Sequence, residues 1–434
     1  MTSTEPMPQT ALRDQVATLG RVDEACSPRA AASWLLLLLL FAAYGSLIAV
    51  FQGVQVILLP AALQAIAPAT KVEVLGLLTT LSAATTVVAL VVGGLVSDRT
   101  RSRWGKRAPS LAISCAASLV LLLLMATARS VAQLAWLMPA LGFALNYYQA
   151  VLLAMLPDRI PDHQRGLASA AIALGVPAGI FLGVNIAAYA PGQVAGYLGL
   201  AALFLASTAA LLLLAREPSS LDLPKVARAT RASAAIADTF SSFRDRDFTL
   251  TFLARFVLFL AYFTVMGYLY YVVQDYLGLA RLPQHNPSVA VSQVMSLATL
   301  GWILITPLTG LIADRLHRTR LFVGLSSIGI GLTMLLPALF SAWPAMLAFG
   351  GFMGVFFGLY MAVDFKLMAM VLPSRTTAGR DMGILSVASS GPIVLAPALA
   401  ATIIALGGYR ELFAFGGGAA ILGGIFAFFV TRRD

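Results

Sequence analysis

Residues 93–110 read GGLVSDRTRSRWGKRAPS. A run almost free of polar groups ends there on five positive charges in nine residues, Arg99 to Arg107. A long apolar stretch stopped by a basic knot is what a helix leaving a bilayer requires. Such a helix needs about 20 predominantly apolar residues, which residues 74–97 supply. Basic residues then hold its end at the charged membrane surface.

Outward from this stretch the pattern repeats along the whole chain. Of 434 residues, 59% are hydrophobic and only 11% charged, whereas soluble domains are about one quarter charged. The expected class is an all-α integral membrane protein, since helices satisfy their own backbone polar groups in lipid. A soluble protein would have to bury every one of these apolar helices in one core. Twelve spans are expected: 34–60, 74–97, 109–127, 131–156, 166–190, 194–215, 247–275, 291–314, 321–338, 344–372, 382–405 and 411–430. Residues 1–33 mix both charge signs without an apolar core and read as a cytoplasmic tail rather than a signal peptide. The long polar connection 216–246 divides the chain into six-helix bundles 34–215 and 247–430, with a short cytoplasmic C-terminus at 431–434.

The net charge of +10 raises nucleic acid as a partner, but its distribution argues against that. Four of the 29 lysines and arginines (Lys71, Arg129, Arg281, Arg410) fall in loops on one side and two (Arg255, Lys366) within spans. The other 23 lie on the side of the termini, which sets both termini in the cytoplasm of a cell-membrane protein by the positive-inside rule. Two distant cysteines and three scattered histidines give neither a disulfide framework nor a metal site. No cofactor is expected, and no triad, paired carboxylates or phosphate-binding glycine loop suggests an enzyme. The partners expected are the bilayer and a small-molecule substrate, the assembly a monomer.

The halves echo each other. GGLVSDRTR (93–101) follows the second span and TGLIADRLHRTR (309–320) the eighth. AMLPDRIPDHQRGLAS (154–169) likewise matches MVLPSRTTAGRDMGILS (370–386). Same-orientation repeats six helices apart indicate duplicated halves about an axis along the membrane normal.

Gly94, Asp98, Arg99, Gly105, Lys106 and Arg107 resemble the loop motif of the major facilitator superfamily, and Arg103 joins them in the candidate latch. The fuller string SDRTRSRWGKRAP is similar to its glycoside–pentoside–hexuronide and sucrose-transporter-like branch. The resemblance implies two pseudo-symmetric six-helix bundles moving a solute, a sugar or glycoside, by alternating access, with symport as the expected mode. Independently of it, Asp98 stands among arginines able to form charge-assisted bonds, and recurs as Asp314, followed by Arg315. The cluster is expected to latch the halves when the inner mouth is shut; the bland alternative is topological anchoring. Melibiose-type symporters carry membrane carboxylates in the second and fourth helices. Here those helices have none, which argues against sodium coupling of that kind.

Intramembrane charges are functional candidates by default. Arg255 and Asp364 lie at matching depth, about 12–14 Å from the inner helix ends, and an ion pair between them is plausible. Asp364 then either exchanges a proton with the gradient or is a permanent ion-pair partner; protons are the candidate coupling ion. Lys366 snorkels inward or touches substrate. Neutral polar cavity candidates are Tyr44, Gln52 and Gln55 on one face of the first helix. Further candidates are Asn146 and Gln149, Asn185, Tyr262 and Tyr268, and Tyr360. In the superfamily the first, fourth, seventh and tenth helices line the cavity. Tyrosines near span ends, such as Tyr271, serve either cavity or interfacial belt. Pro157 and Pro161 are helix stops, unless Asp158, Arg159 and Arg165 form an inner gate. The rival functions are a proton-coupled drug or metabolite exporter and a non-transporting assembly or sensor protein with the same fold.

Asp98→Asn is expected to slow initial transport rates while leaving membrane insertion intact. Unchanged rates in reconstituted protein would return the stretch to anchoring alone.

Overall fold

The computed structural model describes residues 34–217, 219, 221, 240–316, 318–372 and 378–431. Among these described residues, twelve helices long and apolar enough to cross a membrane follow one another. The first half comprises α1 (Trp34–Ile66), α2 (Lys71–Arg99), α3 (Ala108–Ala126), α4 (Val131–Arg159), α5 (Arg165–Tyr189) and α6 (Gln193–Leu214). The second comprises α7 (Arg246–Met266), α8 (Pro287–Leu316), α9 (Thr319–Leu339), α10 (Trp343–Met370), α11 (Ala378–Gly407) and α12 (Tyr409–Phe428). A short 3-10 turn, Phe240–Arg244, leads into α7. The surface carrying the α6–α7 connection is called the loop face, and the opposite one the far face.

Local chemistry sets the helix ends. Ser130 caps α4 by accepting from the Gln133 amide, and Asp245 caps α7 by accepting from Phe248 at 3.0 Å. Gly192 before α6 and Gly408 before α12 both have left-handed φ, +100° and +84°. These two corners lie six helices apart, so the repeat extends to backbone conformations that only glycine adopts without strain.

Packing repeats in the same way. Within the first half α1 packs on α5 and α6, α4 on α2 and α3, and α3 on α6. Within the second, α7 packs on α11 and α12, α10 on α8 and α9, and α9 on α12. Every pair maps onto its counterpart by adding six. The halves meet along two seams, α5 with α8 and α2 with α11, which exchange under the same operation.

Lipid supplies little hydrophobic drive between helices, so close packing must come from small residues. On the α1–α5 seam Gly45 faces Gly175, whose Cα is 3.8 Å from where a Cβ on Gly45 would stand. A Cβ on Gly179 would stand 2.8 Å from the Ile48 Cβ, and Gly183 is held as closely against Ala49.

Two spans differ from expectation. The first continues to Ile66 because it changes pitch: Gly53–Leu58 is a π turn, after which the α-helix resumes with Pro60 in its first turn. The seventh is not continuous over 247–275. It breaks after Met266, resumes as Leu269–Tyr271, and ends in a second π turn, Val272–Leu277. Helices α1 and α7 are repeat partners, and both carry this rare geometry near the far face.

Replacing Gly179 with leucine should cost about 1–3 kcal/mol by overpacking. The purified variant should show a lower thermal midpoint; an unchanged midpoint would mean that α1 and α5 part without cost.

Candidate functional site

The far face is where the halves are joined. Lys71, opening α2, donates to the Asp275 carboxylate at the end of α7, 2.7 Å away, and to Gln64 at 2.7 Å. Asp275 also accepts from the Tyr409 hydroxyl at 2.8 Å, and the Lys71 ammonium lies 4.9 Å from the centre of the Tyr271 ring. Beneath this pair Tyr268 donates towards the Val72 and Pro397 carbonyls, at 3.2 and 2.9 Å, and Tyr271 to the Pro60 carbonyl at 3.2 Å. Along the other seam Asn185 donates to Ser296 at 2.8 Å.

Helices α2 and α11 diverge from this closure. A Cβ on Gly76 would lie 3.2 Å from that of Ala401 and 2.7 Å from the Tyr268 hydroxyl. Gly94 lies eighteen residues onward along α2, and Gly383 eighteen back along α11; space around both is empty to 4 Å. Eighteen residues is about 27 Å of helix. The two helices therefore touch at the far face and stand open at the loop face.

At the loop face the basic motif organises the first half. Arg107, only 4% exposed, pairs with Asp98 and with Asp158 of α4, both at 2.8 Å, and donates to Ser97 at 2.5 Å. Lys106 reaches Asp98 at 3.1 Å. Glu217, just after α6, accepts from the backbone amides of Arg107 and Ala108 at 2.8 and 3.2 Å, occupying the start of α3. Gly105 turns beneath it with φ +101°, where a side chain would collide with Glu217. Arg103 stacks on Trp104, and Arg99 is exposed. In this state the cluster ties α2, α3, α4 and the end of α6 to one another. Arg159 caps α6 through the Ala215 carbonyl at 2.6 Å, and Arg165 turns to Pro157 at 3.5 Å. Asp314 and Arg315 close α8, and their side chains lie outside the described residues.

Deeper in the second half Arg255 of α7 and Asp364 of α10 do form the expected ion pair, 5% and 2% exposed. Arg255 also donates to Ser389 of α11 at 3.1 Å, and its guanidinium lies 5.5 Å from the Phe259 ring centre. Tyr360, one turn before Asp364, stands beside it. Three polar atoms here have no closed hydrogen bond: Arg255 Nε, the second Asp364 oxygen and the Tyr360 hydroxyl. Such atoms are costly in a dry interior. Half-buried Lys366 lies about 200° around α10 from Asp364.

The neutral candidates divide. Tyr44 accepts from Gln149 at 3.4 Å, joining α1 to α4, and Gln52 and Gln55 are half-buried on α1. The π turn begins between those two glutamines, so the α-helical spacing that aligned them does not carry through Gln55. Tyr262 stacks on Phe357 with ring centres 4.6 Å apart. Asn146 bonds within its own half, to Gly142 and Thr86 at 2.7 and 3.2 Å. Asn185 and Tyr268, expected as cavity groups, hydrogen-bond across the seams between the halves, as does Tyr271. Lys71, Asp275, Tyr409, Gln64 and Ser389 were not singled out. Opposite charges at the far-face ends of α2 and α7 were the available signal for the first two.

The Major Facilitator Superfamily profile matches residues 35–341 and 284–434. Monocarboxylate transporter 2 of Meriones unguiculatus is 27% identical over 217 residues, 49% of this chain and 42% of that protein. Monocarboxylate transporter 2 of Mesocricetus auratus is 26% identical over 194 residues, 44% of this chain and 38% of that protein. The chain thus spans about two fifths of the length of these relatives. A crystal structure of a POT family transporter, in complex with a thioalcohol conjugated peptide, superposes with a TM-score of 0.69 at 12% identity. It covers 90% of this chain and 94% of its own, a likeness of fold.

Asp275→Asn should loosen the far-face closure. A partly exposed ion pair contributes about 0.5–1 kcal/mol, so the open-to-shut ratio should rise roughly two- to fivefold. Spin-label distances across the far face would read this. The exchange Lys71→Asp with Asp275→Lys should restore part of it, and no shift in either variant would deny the pair a gating role.

Proposed function

Because this chain belongs to the Major Facilitator Superfamily, we propose that it is a secondary transporter moving a small organic solute by alternating access, seen here with its far mouth shut. The observation that carries this is the divergence of α2 and α11, joined at Gly76 and Ala401 and apart at Gly94 and Gly383. Rocking the halves about the seams would break the Lys71–Asp275 closure and bring Gly94 towards α11. The lysine and arginine bias supports a cytoplasmic loop face, making this the inward-open state. In the opposite state the Asp98 cluster meets the second half and acts as the latch.

For the solute, a neutral hydroxylated molecule such as a glycoside suits the amides of Gln52, Gln55 and Gln149 and the Tyr44 phenol. Amides both donate to and accept from hydroxyls. A second reading, an organic anion carried with a proton, is favoured by the open atoms at Arg255 and Asp364. It also draws support from the name of the curated relatives. A proton on Asp364 would release Arg255, and a substrate carboxylate would then restore neutrality there. An unpaired buried arginine is costly, which links the two events.

Proteoliposomes offered sugars and monocarboxylates, with and without an imposed pH gradient, test these readings. Sugar counterflow indifferent to pH supports the neutral solute. Monocarboxylate uptake driven by protons, and reduced at least tenfold in Asp364→Asn, supports the second. Silence across a broad panel of solutes would overturn transport itself.

A further inference from the structure

Helix α7 packs on α11 and α12 and keeps almost no face for lipid. To α12 it turns Ala254, Leu258, Ala261 and Val265. A Cβ on Gly423 would stand 2.9 Å from the Ala254 carbonyl oxygen, and one on Gly416 2.7 Å from a Val265 methyl. Of the large apolar residues of α7, Leu253 alone is exposed, whereas α8 exposes a row of leucines, Leu297, Leu300, Leu304 and Leu308. Phe256 and Phe263 each lie two residues from the packed face, about 200° around the helix, and both are half-buried. With Phe252 and Phe259 they form a stripe at i, i+4, i+7 and i+11, in two stacked pairs with ring centres 6.1 and 6.0 Å apart. With α12 behind it and no lipid face, this stripe borders the space between the halves. Its depth follows from the closure, where the Tyr271 hydroxyl meets the Pro60 carbonyl. Eight residues back along each helix, roughly 12 Å, stand Phe263 on α7 and Gln52 on α1. Half-buried Gln52 and Gln55 form no hydrogen bond among the described residues. Beneath the closure the first half thus offers free amides, and the second offers rings.

We propose that the transported solute carries an aromatic ring, which stacks on the Phe256–Phe263 stripe while its hydroxyl or carbonyl groups bond to Gln52 and Gln55. This narrows the solute of the transport reading and rests on that reading. Half-buried rings beside a water-filled mouth keep apolar surface wet, and a solute that covers them removes that cost. An aliphatic wall would do the same for any apolar group. Rings add a preference of their own, because a second ring can lie offset or edge-on to their charge distribution. That preference amounts to about two- to tenfold in affinity. The amides on the facing helix serve donors and acceptors alike, so they accept a hydroxyl or a carbonyl. From Phe263 to Phe252 the stripe runs eleven residues, about 16 Å, towards the loop face. A ring leaving the closure therefore meets the same surface along its way out.

Calorimetric titration of the full chain in nanodiscs provides the test, with empty nanodiscs subtracting partition into lipid. The probes are phenyl and cyclohexyl glucoside for a neutral solute, and phenylacetate and cyclohexylacetate for an anion. Each pair matches apolar size and differs in aromaticity. In at least one pair the phenyl member should bind about two- to tenfold more tightly than the cyclohexyl member. The ratio should fall to about one when Phe256→Leu and Phe263→Leu are combined. Phe256→Tyr, which keeps a ring, should keep the ratio, and so should Phe340→Leu at the exposed end of α9. Loss in the leucine variant with retention in the tyrosine variant separates lost stacking from lost folding. Equal binding within both pairs, binding by no probe, or a ratio that survives the paired leucine variant overturns the inference. Flux in proteoliposomes is read separately. Flux of ring-free solutes without a phenyl preference overturns the inference and leaves transport standing. No flux of any solute overturns the transport reading, whatever the chain binds.

Discussion

The structure turns on a shared ion. One lysine ammonium, Lys71, reaches from the first half to a carboxylate in the second, and each partner keeps a bond to its own half: Lys71 to Gln64, Asp275 to Tyr409. When the halves separate, neither charge is abandoned. The closure is therefore specific without being irreversible, because the separated groups remain partly satisfied and meet water. Below it, Tyr268 and Tyr271 close the gap with hydroxyls donated to the Val72 and Pro60 carbonyls of the other half. Tyr268 also reaches the Pro397 carbonyl of its own half.

The loop-face cluster obeys the same economy with a different result. Arg107 is buried and has two carboxylates and a serine around it, all from its own half. Its amide is held by Glu217, at the point where the chain leaves for the second half. The result is a stiff platform. A rigid first half needs such a platform if movement is to be concentrated at the two seams rather than spread through the bundle.

Much of this was legible in the sequence. The spans, the duplication and the Arg255–Asp364 pair follow from apolar run length, repeated motifs and depth along a helix. Depth served well for that pair because both residues sit in regular helix. It served badly where the helix is irregular. Gln52 and Gln55 were aligned by a spacing that the Gly53–Leu58 π turn interrupts, and Tyr268 was read as mid-helix when it occupies a break. Asn185 and Tyr268 were assigned to the cavity because a membrane polar group needs a partner. That premise was sound; the partner is the opposite half of the protein. Which of two polar surroundings a side chain meets is a question of helix rotation, and periodicity alone does not answer it.

The paired π turns of α1 and α7 have a consequence for how those helices can deform. Each holds one residue beyond the α-helical ladder, and that surplus can migrate as carbonyl acceptors are exchanged one at a time. Displacing it along the axis rotates the intervening residues by about 100°, one residue's worth of helical turn. Side chains beside the turn could thus swivel while most of the neighbouring ladder stays hydrogen-bonded. In hydrocarbon, where a snapped ladder would leave bare amides, such a travelling defect is an inexpensive kind of joint.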